Sequence, residues 1–358
     1  MTHRLLQLAP LLATCVLAAG LLLPHGPGAV MIGAALLALA AAVTAAVHHA
    51  EVVALRVGEP FGTLVLALAV TVIEVSLILS VMLAGGEQQA ALPRDTIYAA
   101  VMIICNGVVG LCLLVGGLRH HEQSFRIEGA GSGLAALIAL ATLSLVLPTF
   151  TVSSPIGTYT DSQLAFVGTM SLLLWGVFVF VQTVRHRDYF LPPGAAADAQ
   201  AHAAPPTRAT TAVSLGLLLL SLVAVVGLAK LLSPAIERAV AGTASPSVLV
   251  AIAIALLVLL PETWAAVRAA RANRLQTSLN LAIGSALASI GLTIPAVVTA
   301  AVWLDLPLTL GLVPRDITLL ALTFLVATVT LGSGKTSLMQ GAVHLVLFAA
   351  FLFLSLVP

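Results

Sequence analysis

The chain has 358 residues, of which 60% are hydrophobic and only 8% charged, and its formal net charge is +1. That composition excludes an ordinary water-soluble domain and points to an integral membrane protein. The small net charge gives no footing for nucleic acid, so the placement of the charges matters more than their sum.

The chain opens with "MTHRLLQLAPLLATCVLAAGLLL", where Arg4 precedes an apolar core as in a signal peptide. A second apolar run follows after only "PHGPG" and no small-residue cleavage site stands out, so a retained first span is expected. Apolar runs then fall at about 5–23, 28–47, 63–83, 96–118, 131–148, 164–184, 211–232, 248–267, 277–302, 313–331 and 338–357. The expected fold is an all-α polytopic membrane protein with eleven transmembrane helices. Alternate connections sort the basic residues as eleven (Arg4, Arg56, Arg119, Arg126, Arg185, Arg187, Arg208, Arg268, Arg271, Arg274, Lys335) against four (Arg94, Lys230, Arg238, Arg315). By the positive-inside rule the N-terminus is cytoplasmic and the C-terminus outside.

Residues 185–210, rich in Ala and Pro, read as a flexible cytoplasmic linker. With an N-terminal helix in 1–27 set aside, the linker separates two groups of five helices, 28–184 and 211–358. Five is odd, so two homologous groups in tandem sit in the membrane with opposite topology, as in many secondary transporters.

Twelve of the fourteen acidic residues are read as lying in connections, Glu51, Asp95 and Asp316 among them; Glu74 and Glu262 remain. Each lies in the second helix of its group. Glu74 is the single ionisable side chain of "TLVLALAVTVIEVSLILSVML", with Thr71 one turn earlier. A charge at mid-membrane costs about 2.5–3.5 kcal/mol, which marks Glu74 as functional. Glu262, only six residues before Arg268, reads as either an interfacial residue or a functional one; it follows Pro261, which lacks the N–H for the Leu257 carbonyl. A helix broken there would expose an oxygen beside a carboxylate, as a hard cation requires.

The third helix of each group adds Asn106 with Gly107 and Gly110, and Asn280 with Gly284, Ser285 and Ser289. Small residues permit close helix approach; a lone Asn or Ser is either interhelical glue or a ligand, and glue is the commoner role. His48-His49 and His120-His121 read as solvated groups at helix ends, and His344 as either a proton relay or a bundle hydrogen-bond partner. Cys15, Cys105 and Cys112 lie in apolar runs without metal-type spacing, so no disulfide is expected. "LGSGKTSLMQG" lacks the first Gly of a phosphate loop, since position 329 is Val329, and reads as a cytoplasmic turn. No hydrolytic constellation appears in the spans, and no enzyme is expected.

"GEPFGTLVLALAVTVIEVSLILS" and "LLPETWAAVRAARANRLQTSLNLAIGSALASIGLTIP" resemble the two signature repeats of the cation/Ca²⁺ exchanger superfamily, in particular bacterial Ca²⁺/H⁺ antiporters of the ChaA type. The resemblance extends to "TLGSGKTSLMQGAVHLVLFAAFLFLS". It implies ten core helices in two inverted five-helix repeats plus one N-terminal helix, with Glu74 and Glu262 meeting near the midplane to bind cation and protons. Asn106 and Ser285 are implied as auxiliary ligands, and Gly284, like Gly107, as a point of close helix approach. The superfamily's Gly-Asn pair before the motif Glu is replaced by Val72-Ile73 and Leu260-Pro261, so selectivity is open between Ca²⁺ and Na⁺ or K⁺. No cofactor is implied: Ca²⁺ (or Na⁺ or K⁺) and H⁺ are cargo in an inner membrane of bacterial type, the lipid bilayer is the partner, and oligomeric state is not read. A cation channel lined by the same acids is the alternative from another class.

Overall fold

In the computed structural model of the chain, residues 2–22, 28–58, 61–192, 206–240 and 246–357 are described. They are almost entirely helical. In order come α1 (Thr2–Leu21), α2 (Ala29–Val57), α3 (Phe61–Gly85), α4 (Leu92–Met102), α5 (Val109–His120), α6 (Ile127–Ala141), α7 (Asp161–Phe180), α8 (Arg208–Val240), α9 (Pro246–Arg271), α10 (Leu275–Leu304), α11 (Pro314–Leu331) and α12 (Leu338–Leu356). A π-helical turn, Ile103–Val108, joins α4 to α5 in a single span. Ten stretches among the described residues are long and apolar enough to cross a membrane, and α1 adds a shorter apolar segment, Leu5–Leu21. The expected linker falls largely on residues 193–205, outside the described residues.

Two compact units form, and they cut across the sequence halves. The first contains α1, α2, α3 and α8. In it α2 presents Ala35, Ala42, Ala45, Ala46 and Ala50, all fully buried. Such an alanine face lets neighbouring helices approach closely without a hydrophobic driving force. Helices α1 and α8 meet where Gly20 faces Leu231 and Gly227 faces Leu17.

Two sequence expectations fail in this unit. Helix α2 continues ten residues beyond the expected end at 47, through Glu51 to Val57. His49 is therefore no solvated terminus: it is buried, with Nδ1 3.3 Å from Ser214 Oγ and Nε2 3.3 Å from the Leu6 carbonyl.

The second unit contains α4–α7 and α9–α12. Its α12 lies closely against α5 because a Cβ on Gly110 would stand 2.9 Å from His344 Cβ, and one on Gly341 would collide with the Leu114 backbone. Gly110→Val should accordingly lower stability by about 1–3 kcal/mol or more through overpacking, read as a fall in the thermal midpoint of the detergent-solubilised protein. An unchanged midpoint would contradict this packing.

The connections of this unit sort to two ends. At one end β1 (Glu122–Ser124) pairs antiparallel with β2 (Lys335–Ser337), and Gln123 Nε2 donates to the Ala270 carbonyl and to Asn273. The turn expected at "LGSGKTS" is thus half of a two-stranded ribbon. Lys335 and Glu122 are 2.9 Å apart there, and the bond to Glu122 raises the Lys335 pKa above its ordinary value. Both side chains are exposed, so Lys335→Met should leave the thermal midpoint unchanged. At the other end the Thr309 N–H donates to the Ala90 carbonyl, and Arg94 Nη1 to the Gly311 carbonyl.

Asp95 and Asp316 were expected in connections but belong to the first turns of α4 and α11. Both end a Pro-Arg-Asp tripeptide, at 93–95 and 314–316. Asp95 is buried at 4% exposure; its Oδ1 is 2.7 Å from Arg94 Nη2 and its Oδ2 accepts from Ser247 Oγ at 3.0 Å. A carboxylate can enter a helix start when guanidinium and hydroxyl donors replace water, and the helix dipole favours it there.

Candidate functional site

Glu74 lies in the interior of α3, three turns or more from either end. It is 2% exposed and belongs to a buried stripe with Thr71, Leu77, Ile78 and Val81. The spacing i, i+3, i+4, i+7 puts these side chains on one face. Thr71 Oγ1 donates to the Ala67 carbonyl at 2.9 Å, which leaves its oxygen lone pairs facing outward from that bond. The helix has no other acidic or basic residue.

Glu262 lies in α9, in the second unit. Helix α9 runs unbroken from Pro246 to Arg271, so the break expected at Pro261 does not form. Proline removes one donor and crowds the preceding turn, but flanking helical residues carry the segment through, as is common in membranes. Glu262 and Thr263 share a tight crevice, too narrow to hold a water, with Ser285 of α10, walled by Ile104, Val108, Leu259 and Ala282. The Thr263 hydroxyl donates to the Leu259 carbonyl at 2.7 Å.

Glu262 and Ser285 are thus brought together. The side chain of Asn106 is engaged elsewhere in the same unit. Its Nδ2 donates to Thr323 Oγ1 at 2.8 Å, and its Oδ1 lies 3.2 Å from His344 Nδ1. Its neighbours Ile104 and Val108 in the π-helical turn, and not Asn106 itself, line the crevice. Asn280 is a further departure: it donates to the Phe190 carbonyl at 2.6 Å and accepts from Gln276, whose Oε1 holds the Arg126 N–H. That places Asn280 with the connections at one end of the unit.

The two glycines also part company. A Cβ on Gly107 would touch the Phe348 ring at 3.4 Å, an ordinary contact. One on Gly284 would meet nothing within 4 Å among the described residues, so the close approach expected at Gly284 is not made by them. Close approach occurs instead at Gly110 and Gly341, because those two face backbone atoms of the adjoining helix.

Among the described residues no three of His, Cys, Asp and Glu gather as a metal-binding cluster. The oxygen-bearing side chains beside Glu262 are the Thr263 and Ser285 hydroxyls, which suit a hard cation and not a soft transition metal.

Comparison with known proteins places these residues in context. The family described as sodium/calcium exchanger protein matches the chain over residues 27–184 and 213–357. The chain is 51% identical over 320 residues to the putative ionic transporter y4hA of Sinorhizobium fredii, covering 89% of this chain and 87% of that one. It is 33% identical over 320 residues to the sodium-potassium/proton antiporter ChaA of Escherichia coli, covering 89% and 86%. The crystal structure of the Ca²⁺/H⁺ antiporter YfkE shares the fold with a TM-score of 0.72 at 16% identity, covering 99% of each chain.

Proposed function

Because the chain belongs to the sodium/calcium exchanger family of membrane transporters, we propose that it is a proton-coupled cation antiporter exporting Ca²⁺ by alternating access. Glu74 and Glu262 are the carboxylates for which cation and protons compete. The observation that carries the reading is the burial of Glu74 at 2% exposure within a membrane-spanning helix. A carboxyl kept there at such cost is one that changes its occupant.

Competition for the same oxygens supplies the coupling. Two ionised carboxylates balance one Ca²⁺, and oxygen donors such as Ser285 Oγ, beside Glu262, help replace its water shell. Two protons leave both carboxyls neutral, so the empty carrier crosses the apolar barrier without an uncompensated charge. Exchange of two protons for one Ca²⁺ is electroneutral, and the proton gradient provides the energy without a nucleotide.

The architecture proposed with it is two inverted five-helix repeats, 28–184 and 211–358, joined by the cytoplasmic segment 185–210 and preceded by a helix in 1–27. The paired family match over 27–184 and 213–357 supports it. The positive-inside count supports a cytoplasmic N-terminus in a bacterial-type inner membrane.

A monovalent cargo is the second reading, favoured by the name of the Escherichia coli relative. Proteoliposomes with an imposed pH gradient distinguish the two. With ⁴⁵Ca²⁺, ²²Na⁺ and ⁸⁶Rb⁺ offered separately, gradient-driven accumulation of ⁴⁵Ca²⁺ is expected. Accumulation of ²²Na⁺ or ⁸⁶Rb⁺ without ⁴⁵Ca²⁺ would establish the monovalent reading.

A further inference from the structure

A buried hydrogen-bond chain runs through the unit that carries Glu262, and the exchange chemistry above does not use it. Its centre is His344 on α12, wholly buried and seated against Gly110. Nδ1 of His344 is 3.2 Å from Asn106 Oδ1, and Nε2 is 3.1 Å from Thr330 Oγ1. From Asn106 the chain passes through Nδ2 to Thr323 Oγ1 at 2.8 Å, and from the Thr323 hydroxyl to Met102 Sδ at 3.5 Å. Asn106 and Thr323 have no exposure, and Thr330 scarcely any.

The chain has a direction. An amide oxygen only accepts, so Nδ1 of His344 carries a proton and donates to Asn106. Nε2 of the neutral ring then accepts from the Thr330 hydroxyl, and every polar atom along the chain is satisfied without a charge. Fully satisfied buried networks of this kind hold one geometry, and loss of any member leaves a desolvated group behind.

The geometry held here is next to the candidate cation site. Asn106 sits in the π-helical turn Ile103–Val108, where the regular i to i−4 ladder is interrupted, as it often is at functional sites. Ile104 and Val108 of that turn form one wall of the crevice containing Glu262, Thr263 and Ser285. We infer that His344 is a positioning residue for transport: by donating to Asn106 it fixes the π-helical turn that walls the Glu262 crevice, and so sets the apparent affinity for the cation. His344 neither ligates the cation nor carries the transported proton. The inference rests on the reading of Glu262 as a transport carboxylate.

The test is ⁴⁵Ca²⁺ exchange in proteoliposomes with His344→Leu, which loses both ring bonds, and His344→Asn, whose amide can replace the Nδ1 donor. His344→Leu should raise KM about tenfold with Vmax within about threefold, and His344→Asn should return KM to within about threefold of wild type. Asn106→Ala with His344→Leu should raise KM by less than the product of the two single effects, since both singles remove the bond between these residues. The proton-to-cation ratio should stay at the wild-type value in all of them. An unchanged KM in His344→Leu, or an altered proton ratio, overturns the inference. Should His344→Leu fail to fold, Thr330→Val, which loses only the far bond, should raise KM in the same direction but only about twofold; no shift overturns the inference equally. Glu262→Gln in the same vesicles separates the two readings. If it is inactive while KM in His344→Leu is unchanged, only the positioning role fails. If it transports normally, the transport reading itself fails.

Discussion

Glu74→Gln should abolish the proposed proton-driven cation exchange, to below about 1% of wild type, while the protein still folds and inserts. Gln keeps the shape of Glu and one of its oxygens but neither the negative charge nor a titrating proton. A site that works by exchanging protons for a cation on the same oxygens loses both partners at once. Glu262→Gln should do the same, although Glu262 is only half-buried, because charge balance for a divalent ion requires both carboxylates. Flux of ⁴⁵Ca²⁺ into proteoliposomes, alongside gel-filtration elution of the same preparations, reads the two effects separately. Coupled transport retained by either variant removes that carboxylate from the mechanism.

The second large effect concerns stability. Arg94→Met should destabilise the protein by about 3–5 kcal/mol, because it strands the buried Asp95 carboxylate. Arg94 is 15% exposed; its Nε donates to Asp95 Oδ1 at 2.8 Å and its Nη1 to the Gly311 carbonyl at 3.0 Å. Met retains most of the aliphatic stem, so the loss is of charge and hydrogen bonds more than of packing. The same tripeptide recurs at Arg315–Asp316, where Arg315 is 31% exposed and water can replace it. Arg315→Met should therefore cost about 1 kcal/mol or less. The double variant Arg94→Met with Asp95→Asn should be more stable than Arg94→Met alone, since no buried charge is left behind. Denaturant midpoints in detergent decide the ordering, and an equal cost at Arg94 and Arg315 would refute the burial argument.

The sequence shows Glu74 because the single ionisable side chain of a long apolar run needs no structure to be conspicuous. The spans are legible for the same reason: apolar length is a one-dimensional property. Errors arose where a local signal was overridden by distant partners. Asp95 reads as a connection because charge usually marks solvent, yet Arg94 and a serine 152 residues away replace the water. The repeated Pro-Arg-Asp was a visible signal that these two aspartates share a role. His49 reads as a helix end, but Ser214 and Leu6 lie beyond any sequence window. Pro261 predicts a break that α9 does not show, since a missing donor alone does not end a helix in a bundle. The His344 chain depends on contacts spanning 238 residues to Asn106, and neither member identifies the other by spacing. Glycine spacing marked Gly284, whereas the tight contacts fall at Gly110 and Gly341 because closeness depends on which face the neighbour covers.

If cation and protons are exchanged, reversing the driving force must reverse the proton flow. Proteoliposomes loaded with Ca²⁺ and a trapped pH dye, then diluted into Ca²⁺-free medium without a pH gradient, should acidify internally as Ca²⁺ leaves. The proton uptake should vanish in Glu74→Gln and Glu262→Gln vesicles. Efflux of Ca²⁺ with no internal acidification, at a membrane potential clamped to zero, would contradict the antiport account.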